Sequence, residues 1–366
     1  AERSVVSLNF DQARSQGMQL SWTGESDRFA GWTGDGLPGP AFGVARANGF
    51  NTSWTESNAW YSVVARGEHR LAGSWEQLDG FKEAHRKVFF GARSLRMTNE
   101  ISVANAAGKI DSHTHYHHRG TAMEDTIIAM AADYAGTGNV NLLLPLGQFG
   151  TRHRHAAASA AYPKIALNAP LHDLLFPSAD DEVLEYVVDE GERVEPRMYA
   201  PVMATLLLFG AKGIATGYST DVPMHKPLDV LRACEAHLQG TPLPELTPWY
   251  RGFAGDVEPD DGGFVLRGRC RREGDLLHIT DVPPLKETDA YKPAWLELAP
   301  GGVAPGAKHT DEDVHMELRG CTTDDPKALG LEKRVSLGYM HLLDAAGNLK
   351  KYADAAEIVR EHADAR

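Results

Sequence analysis

Residues 147–164 read GQFGTRHRHAAASAAYPK, and this stretch decides how the chain around it is organised. Pro145 and Gly147 break the apolar run that begins at residue 139, so that run is a strand or a loop. Tyr162 stands between Ala161 and Pro163, with no apolar stripe that would place it in a core. We therefore expect a loop tyrosine, either half-buried without a role or available for chemistry.

Charge is unevenly distributed around this stretch. The 366 residues carry a net charge of −13, which as an average argues against a nucleic-acid or membrane-surface binder. Residues 82–164, however, hold 10 basic against 6 acidic side chains, and seven of the 16 histidines. A basic, histidine-rich centre within an acidic chain is a candidate anion-binding surface.

Simple features of the sequence exclude several classes of protein. Cys234, Cys270 and Cys321 lie far apart and form no CxxC pair, so they offer neither a disulfide framework nor a zinc site. The longest apolar stretch, residues 202–209, has about half the length of a membrane-spanning helix. No charged-then-apolar leader opens the chain. We expect an intracellular protein that is not secreted and does not contact a membrane.

The hydrophobic pattern predicts an α+β protein. Positions 81, 85, 88 and 89 repeat at helical spacing, and a second helix is expected over residues 122–134. Residues 200–209 are a buried strand or helix. Short segments at 263–269 and 276–279 alternate with Gly and Asp turns, which predicts an antiparallel sheet. A polar helix is expected after residue 354.

Other segments occur in a fixed order around the tyrosine stretch. They are DGFK at 79–82, RKV at 86–88, YHH at 116–118, VEP at 194–196 with Tyr199 and Pro201, GIATGYS at 213–219, PWYRGFAG at 248–255, ITDVP at 279–283 and GNLKKY at 347–352. In residue type and order these segments resemble the DNA-cleavage region of type IIA DNA topoisomerases. The ten-residue step from Arg152 to Tyr162 is closer to the phage form than to the longer eukaryotic loop.

The resemblance implies a fold and a division into domains. It implies a winged-helix (helix-turn-helix) domain followed by an α/β tower domain with an antiparallel sheet. The expected parts are residues 1–68, a segment following an absent metal-binding domain; 69–200, the winged helix with the tyrosine; 201–345, the tower; and 346–366, a helix leading toward an absent coiled-coil gate.

The resemblance also implies roles for single residues. Tyr162 matches the nucleophile that makes a 5′-phosphotyrosyl link, and Arg152 matches a catalytic arginine. Ile214 matches the apolar wedge that intercalates into DNA, with plain core packing as the alternative. The other matched DNA-binding positions are Lys82, Arg86, Lys87, His117, His118 and Gln148. No residue of this chain is expected to ligate a metal.

Partners and cofactors follow from the same resemblance. It implies an ATP-dependent isomerase that acts as a homodimer on double-stranded DNA, making a transient double-strand break for strand passage. Mg²⁺ and ATP are expected to bind to metal-binding (Toprim) and ATPase domains or subunits that are absent from this chain, because the sequence contains neither a DxDxDG cluster nor an ATPase phosphate-binding segment.

Two alternatives stay open from the sequence. The family places an arginine immediately before the tyrosine, where this chain has Ala161, so the chain could be a DNA-binding scaffold that no longer cleaves. The pair His113 and His115 forms an HxH pattern that resembles the first strand of amidohydrolase metalloenzymes, in which both imidazoles share one face of a strand.

Overall fold

The computed structural model describes residues 75–116, 121–215 and 218–366, together with the backbone of an antiparallel pair of strands, β1 (Gln19–Thr23) and β2 (Arg28–Trp32). Apart from this pair, the predicted segment 1–68 lies outside the described residues. So do His117 and His118 of the YHH segment.

Residues 83–167 form three helices and a small sheet. In chain order the elements are α1 (Glu83–Ser94), β3 (Ile101–Ser102), α2 (Val103–Thr114), α3 (Ala122–Ala131), β4 (Leu143–Leu146) and β5 (Lys164–Leu167). The antiparallel sheet has the order β3-β5-β4. The succession helix, strand, helix, helix, strand, loop, strand is that of a winged helix, and the loop between β4 and β5, residues 147–163, is its wing. We call it the wing loop.

The helices pack closely because the sequence places small residues where they meet. A side chain on Gly91 of α1 would have its Cβ 2.9 Å from Ile110 of α2, so the glycine lets the two helices approach. Ser102 caps α2 through its hydroxyl, which accepts from the Asn105 N–H. Val88 and Ile127 complete a core without exposed surface. The periodicity from residue 81 therefore predicted α1 correctly.

Two sequence-based expectations in this region need correction. The HxH pair does not lie on a strand: His113 is in the last turn of α2, and His115 is its C-cap with φ +48°. Because neither histidine lies on a strand, the amidohydrolase geometry, with both imidazoles on one face of a strand, is wrong for this chain. The helix expected over 122–134 ends at Ala131, because Ala132 already has an extended ψ of 138°.

A connecting region follows the winged helix. Its elements are α4 (Ala169–Leu175), β6 (Tyr186–Asp189), β7 (Glu192–Pro196), α5 (Leu206–Phe209), β8 (Ala211–Ala215), β9 (Tyr218–Val222) and α6 (Pro227–Leu238). The segment 200–209, open between strand and helix from the sequence, thus contains a short helix. Strands β8 and β9 form a hairpin, which we call the wedge hairpin, with Ile214 paired to Ser219 near its tip.

Antiparallel sheets build the tower, as the turn-rich sequence predicted. Strands β10 (Asp256–Asp260), β11 (Gly263–Arg267) and β16 (Glu332–Ser336) form one sheet. The second has the order β12 (Arg269–Glu273), β13 (Leu276–Asp281), β15 (Met316–Arg319), β14 (Val303–Pro305). Helix α7 (Lys292–Leu298) covers the second sheet and buries Trp295 completely.

The chain ends with elements that pack back on the connecting region. Strands β17 (His341–Leu343) and β18 (Leu349–Lys351) pair, and α8 (Ala355–Ala365) follows as the expected polar helix, capped by Asp354. Ile358 of α8 belongs to the same core as Phe89 of α1 and Leu207 of α5. This core spans residues far apart in sequence, so the winged helix and the chain end are held as one body. Within the described residues, no helix has the length and apolarity needed to cross a bilayer.

Candidate active site

Tyr162 is presented to solvent at the end of the wing loop. Its side chain is 78% exposed, whereas its backbone is fixed: the Tyr162 N–H donates to the Ser159 carbonyl at 2.9 Å. One residue later, the Pro163 carbonyl accepts from the Val103 N–H at 3.0 Å, which ties the loop to the start of α2. A phenol held this way can reach a large substrate without a change in the fold.

The start of the wing loop folds compactly on itself. Gly150 has φ +92°, and a Cβ there would overlap the His155 carbonyl oxygen, so only glycine fits. Exposed Gln148 braces the loop, because its Nε2 donates to the Ala156 carbonyl at 3.2 Å and its backbone carbonyl accepts from the Ala158 N–H. Gln148 thus lies near the tyrosine segment, with its side-chain amide already engaged.

The middle of the wing loop is docked on the tower. Buried Arg152 forms an ion pair with Asp281 of β13 and donates to the Glu312 carbonyl at 3.3 Å. The ring of His153 is 2.6 Å from the Thr310 carbonyl, and the His155 N–H donates to Glu287 at 2.8 Å. The loop that carries Tyr162 is therefore positioned by residues more than a hundred positions further along the chain.

Two further predicted DNA contacts also lie inside the protein. The Arg86 guanidinium is 2.8 Å from Asp79, and both side chains are buried. Burial works to lower the pKa of Arg86, but the Asp79 carboxylate outweighs it and the pKa is raised. Lys87 donates to the Thr114 carbonyl at 2.7 Å and pairs with Glu195 at 2.8 Å. Like Arg152, these two cations face acidic groups of the protein and are not brought to the surface with Tyr162.

The wedge hairpin displays its apolar residue. Ile214 is 92% exposed, so the core-packing alternative is wrong for this position. Lys82 is close to the middle of strand β8, since a Cβ on Gly213 would be 3.2 Å from its Nζ. That amine also lies 4.7 Å from the centre of the Trp75 ring, and burial lowers its pKa. A cation and an exposed apolar side chain therefore share the hairpin.

A cavity of about 460 Å³ lies beside this hairpin. Lys82, Lys212 and Tyr134 are among the residues that line it. The Tyr134 ring stacks on His155 of the wing loop with 4.9 Å between centroids. His85 also lines the cavity, and its pKa is lowered to about 3 by burial and by the nearby Lys82 and Arg86 charges. The cavity is thus lined by both lysines and by a tyrosine that stacks on the wing loop.

Sequence reasoning missed two residues of the hairpin surface. Lys212 is exposed and lies 3.3 Å from Asp221, and Tyr339 is 54% exposed beside the hairpin. Lys212 could have been found, because residues two apart on a strand share a face and Ile214 follows at that spacing. Tyr339 carries no comparable signal, since it reaches the hairpin only through tertiary packing.

Among the described residues, Arg154 and Lys164 are the cations closest in sequence to Ala161, where the family has its arginine. Ala161 itself is exposed. The Arg154 guanidinium lies 3.8 Å from Asp289, and the Lys164 amine lies 3.2 Å from Glu100. Both side chains are largely exposed, and each lies beside a carboxylate of the protein.

The same surroundings do not fit a Mg²⁺ ion. Across the described part of the chain, the one group of three residues with metal-ligating atoms close together lies on the tower and includes no wing-loop residue. The carboxylate of Glu100, near the tyrosine segment, is paired with Lys164. The described residues around Tyr162 therefore do not form a three-ligand site for Mg²⁺.

The chain forms a winged helix with an exposed wing-loop tyrosine, docked on an antiparallel tower. This is the architecture of a DNA-binding and cleavage core. The comparison with known families gives the same assignment. Residues 76–366 match the family of the DNA gyrase/topoisomerase IV A subunit, and the chain belongs to that family. The resemblance drawn from the ordered motifs is confirmed.

Several relatives are similar over most of this chain. The DNA topoisomerase 2 of Meyerozyma guilliermondii is 33% identical over 306 residues, covering 79% of this chain and 22% of that protein. The DNA topoisomerase 2 of Arabidopsis thaliana is 34% identical over 310 residues, covering 79% of this chain and 21% of that protein. The chain therefore spans about a fifth of the length of these curated relatives.

A solved structure agrees with the fold. The crystal structure of the Plasmodium falciparum topoisomerase II DNA-binding, cleavage and re-ligation domain superposes with a TM-score of 0.77 at 28% identity. The match covers 85% of this chain and 44% of that one. The predicted α+β fold, a winged helix followed by a tower with an antiparallel sheet, is thus confirmed.

Proposed function

We propose that this chain forms the DNA-binding and cleavage core of an ATP-dependent type IIA DNA topoisomerase, which makes a transient double-strand break through 5′-phosphotyrosyl links. The observation that carries the proposal is the 78% exposure of Tyr162 on a loop fixed at both ends. The chain works as a homodimer, because each strand of the duplex requires its own tyrosine. Its place is inside the cell, with the DNA.

The chemistry follows from a positioned phenol. The Tyr162 oxygen attacks a backbone phosphorus and gives up its proton, so that a tyrosyl O–P bond forms while the P–O3′ bond breaks. The departing 3′ oxygen takes up a proton. Religation is the reverse, with the 3′ hydroxyl as the nucleophile and the tyrosine as the leaving group. Because one phosphodiester is exchanged for another, breakage and resealing stay nearly balanced, and positioning supplies much of the rate.

DNA binding is divided between surface residues and the frame beneath them. Lys82, Lys212 and Gln148 contact the backbone, and Ile214 intercalates as a wedge. His117 and His118 match the family's YHH segment, and by that resemblance they are also assigned to the DNA backbone. The buried Arg86, Lys87 and Arg152 act as positioning residues, since each cation is already neutralised by a carboxylate.

Both cofactors are assigned outside the described residues. We propose that a Toprim domain or partner chain holds Mg²⁺, and that an ATPase domain or partner chain holds ATP. The wing-loop surroundings supply no Mg²⁺ ligand set of their own among the described residues, which supports this division.

A covalent-adduct assay tests the proposed function. The chain is combined with an ATPase–Toprim partner chain, Mg²⁺ and end-labelled duplex DNA, and adducts are counted after denaturation. We expect adducts with the unchanged chain and none with Tyr162→Phe, while DNA affinity changes by less than about twofold. Tyr339→Phe, which alters another exposed tyrosine, should retain adducts.

Other outcomes of this assay would contradict the proposal. Adducts that persist in Tyr162→Phe would show that Tyr162 is not the nucleophile. Binding without any adduct in the completed enzyme would favour a scaffold that has lost cleavage with its Ala161.

A further inference from the structure

The second tower sheet brings two histidines and a glutamate together on one face. His278 of β13 lies directly opposite Glu317 of β15 in the strand register. His315 precedes Glu317 by two residues, so both side chains leave the chain on the same side. The cluster is far from the HxH pair in sequence and contains no residue of the ordered family motifs.

The ligand atoms of these side chains converge. The Nδ1 of His278 is 3.3 Å from the Nε2 of His315 and 3.9 Å from the Oε1 of Glu317. All three residues offer an atom within 4.8 Å of the others. In a tetrahedral site with metal–nitrogen bonds of about 2.05 Å, neighbouring ligand atoms are about 3.3 Å apart. The two imidazoles therefore already have the required spacing, whereas the partly exposed Glu317 carboxylate must move slightly closer to bind the same ion.

Neighbouring groups orient the cluster. The Nε2 of His278 lies 3.6 Å from Glu273, a carboxylate that can hold the ring with Nδ1 directed inward. Gly306 borders the other side, where a Cβ would lie 2.7 Å from His315 Nδ1 and 2.8 Å from Glu317 Oε1. A side chain at residue 306 would thus fill the space beside both ligand residues.

We propose that His278, His315 and Glu317 form a binding site for a divalent transition metal of the Zn²⁺ type. Two imidazoles and one carboxylate suit Zn²⁺, Co²⁺ or Ni²⁺, whereas Mg²⁺ and Ca²⁺ prefer oxygen ligands. Three protein ligands leave a fourth position for water or an exchangeable group. The site is independent of the proposed cleavage chemistry, because it uses none of the residues assigned to DNA.

Metal binding changes one hydrogen bond at the edge of the cluster. The Lys308 N–H donates to His315 Nδ1 at 3.3 Å, a contact that requires the tautomer with its proton on Nε2, the nitrogen that faces His278. A metal on Nε2 requires the proton on Nδ1, and the long contact to Lys308 is lost. The segment that follows Lys308 contacts the wing loop through Thr310 and Glu312. Metal binding at the site therefore affects the loop that carries Tyr162.

Direct metal binding tests the site. The chelator-treated chain is titrated with Zn²⁺ by calorimetry, and with Co²⁺ while the visible spectrum of a tetrahedral centre is followed. We expect one equivalent of metal at these residues. His278→Ala and Glu317→Gln should each weaken the affinity by roughly 100-fold or more. The control His237→Ala removes a half-buried histidine that pairs with Asp364 at 2.7 Å, and it should leave this equivalent unchanged.

Thermal unfolding with and without Zn²⁺ separates loss of ligands from loss of fold. The unchanged chain should gain Tm with the metal, and Glu317→Gln, which keeps the size of the side chain, should keep the metal-free Tm but lose the gain. The proposal is overturned if no equivalent binds to the unchanged chain, or if both ligand variants bind as tightly as it does. Either result would mean a hydrogen-bonded histidine pair only.

Discussion

At the scale of single residues, the structure separates the charged side chains that face solvent from those that face each other. Arg86, Lys87 and Arg152 were expected on DNA, yet each is buried against a carboxylate. A buried cation of this kind contributes to the geometry of the site through what it holds, because removing one partner leaves the other charge uncompensated. Tyr162 and Ile214 have the opposite arrangement, with exposed side chains on a fixed backbone.

Arg152 provides the sharpest test of this distinction. We expect Arg152→Ala to lower the free energy of unfolding by about 3–5 kcal/mol, because Asp281 would be left buried without its cation. Arg154→Ala, two residues along the same loop, removes an exposed arginine and should cost less than about 0.5 kcal/mol. Urea unfolding of the two variants measures the difference. Similar small losses in both would show that the Arg152 pair does not anchor the wing loop.

Substitution of Ala161 by arginine is predicted to increase the rate of adduct formation. An arginine at this exposed position would lie beside the nucleophile and stabilise charge that develops on the phosphate. We expect Ala161→Arg to raise the rate of adduct formation in the completed enzyme by roughly 10²- to 10³-fold. Ser159→Arg adds the same charge three residues from Tyr162 and should raise DNA affinity without a comparable rate increase. Equal effects of the two variants would argue for general electrostatics only.

At the scale of elements, residues of the sequence motifs form contacts that hold separate segments of the chain together. Asp79 before α1 pairs with Arg86 and also accepts from the Tyr199 N–H at 2.9 Å, which connects the DGFK segment with the one that follows VEP. Lys87 of α1 pairs with Glu195 of β7 in the same way. Arg152 joins the wing loop to β13. The motifs thus supply both the residues proposed to meet DNA and the contacts that hold their elements in place.

The wedge hairpin can be tested as an element of its own. Ile214→Ala should leave the free energy of unfolding unchanged, because the side chain is 92% exposed. It should reduce the bend imposed on DNA and slow cleavage about tenfold, the equivalent of roughly 1.4 kcal/mol of lost wedge contact. Energy transfer between the ends of a labelled duplex reports the bend. Val183→Ala, at another highly exposed apolar position, is the control; an unchanged bend in Ile214→Ala would rule out the wedge.

At the scale of the whole molecule, several histidines are kept neutral by burial. Burial and the nearby Arg93 lower the pKa of His172 to about 3, and its ring stacks on Phe89 at 4.3 Å. The unfolded chain has a histidine pKa of about 6.5 and therefore binds the proton first on acidification. The contribution of His172 to stability is complete above that pH and is lost as the pH falls toward 3.

The expected consequence is a measurable slope of stability with pH. Between about pH 6.5 and 5, His172 should lower the free energy of unfolding by about 1.4 kcal/mol per pH unit. His172→Phe keeps the aromatic contact and should reduce the slope by that amount, as measured by urea unfolding at a series of pH values. His113→Phe alters an exposed histidine that stacks on Phe90, and its slope should match that of the unchanged chain. Equal slopes for all three proteins would contradict the assignment.

Net charge is a poor guide to the partner at this scale. The average of −13 argued against nucleic acid, although the segment from 82 to 164 is basic and contains the tyrosine. Even that refinement was incomplete, because three of its cations are buried in ion pairs. Lys82 lies in the basic segment and Lys212 lies in the part of the chain that follows it. The two lysines meet at the wedge hairpin only in the folded protein.

The sequence by itself determined the family, the α+β class and the loop position of Tyr162, because these depend on motif order, hydrophobic period and local turn residues. The helix predicted from residue 81, which is α1, and the strands predicted in the tower were correct for the same reason. Only the tertiary structure decided which charged residues face solvent, that the HxH pair lies at the end of a helix, and that His278, His315 and Glu317 converge. Ion pairs such as Arg152–Asp281 join residues more than a hundred positions apart, and no local pattern carries information about a partner at that distance.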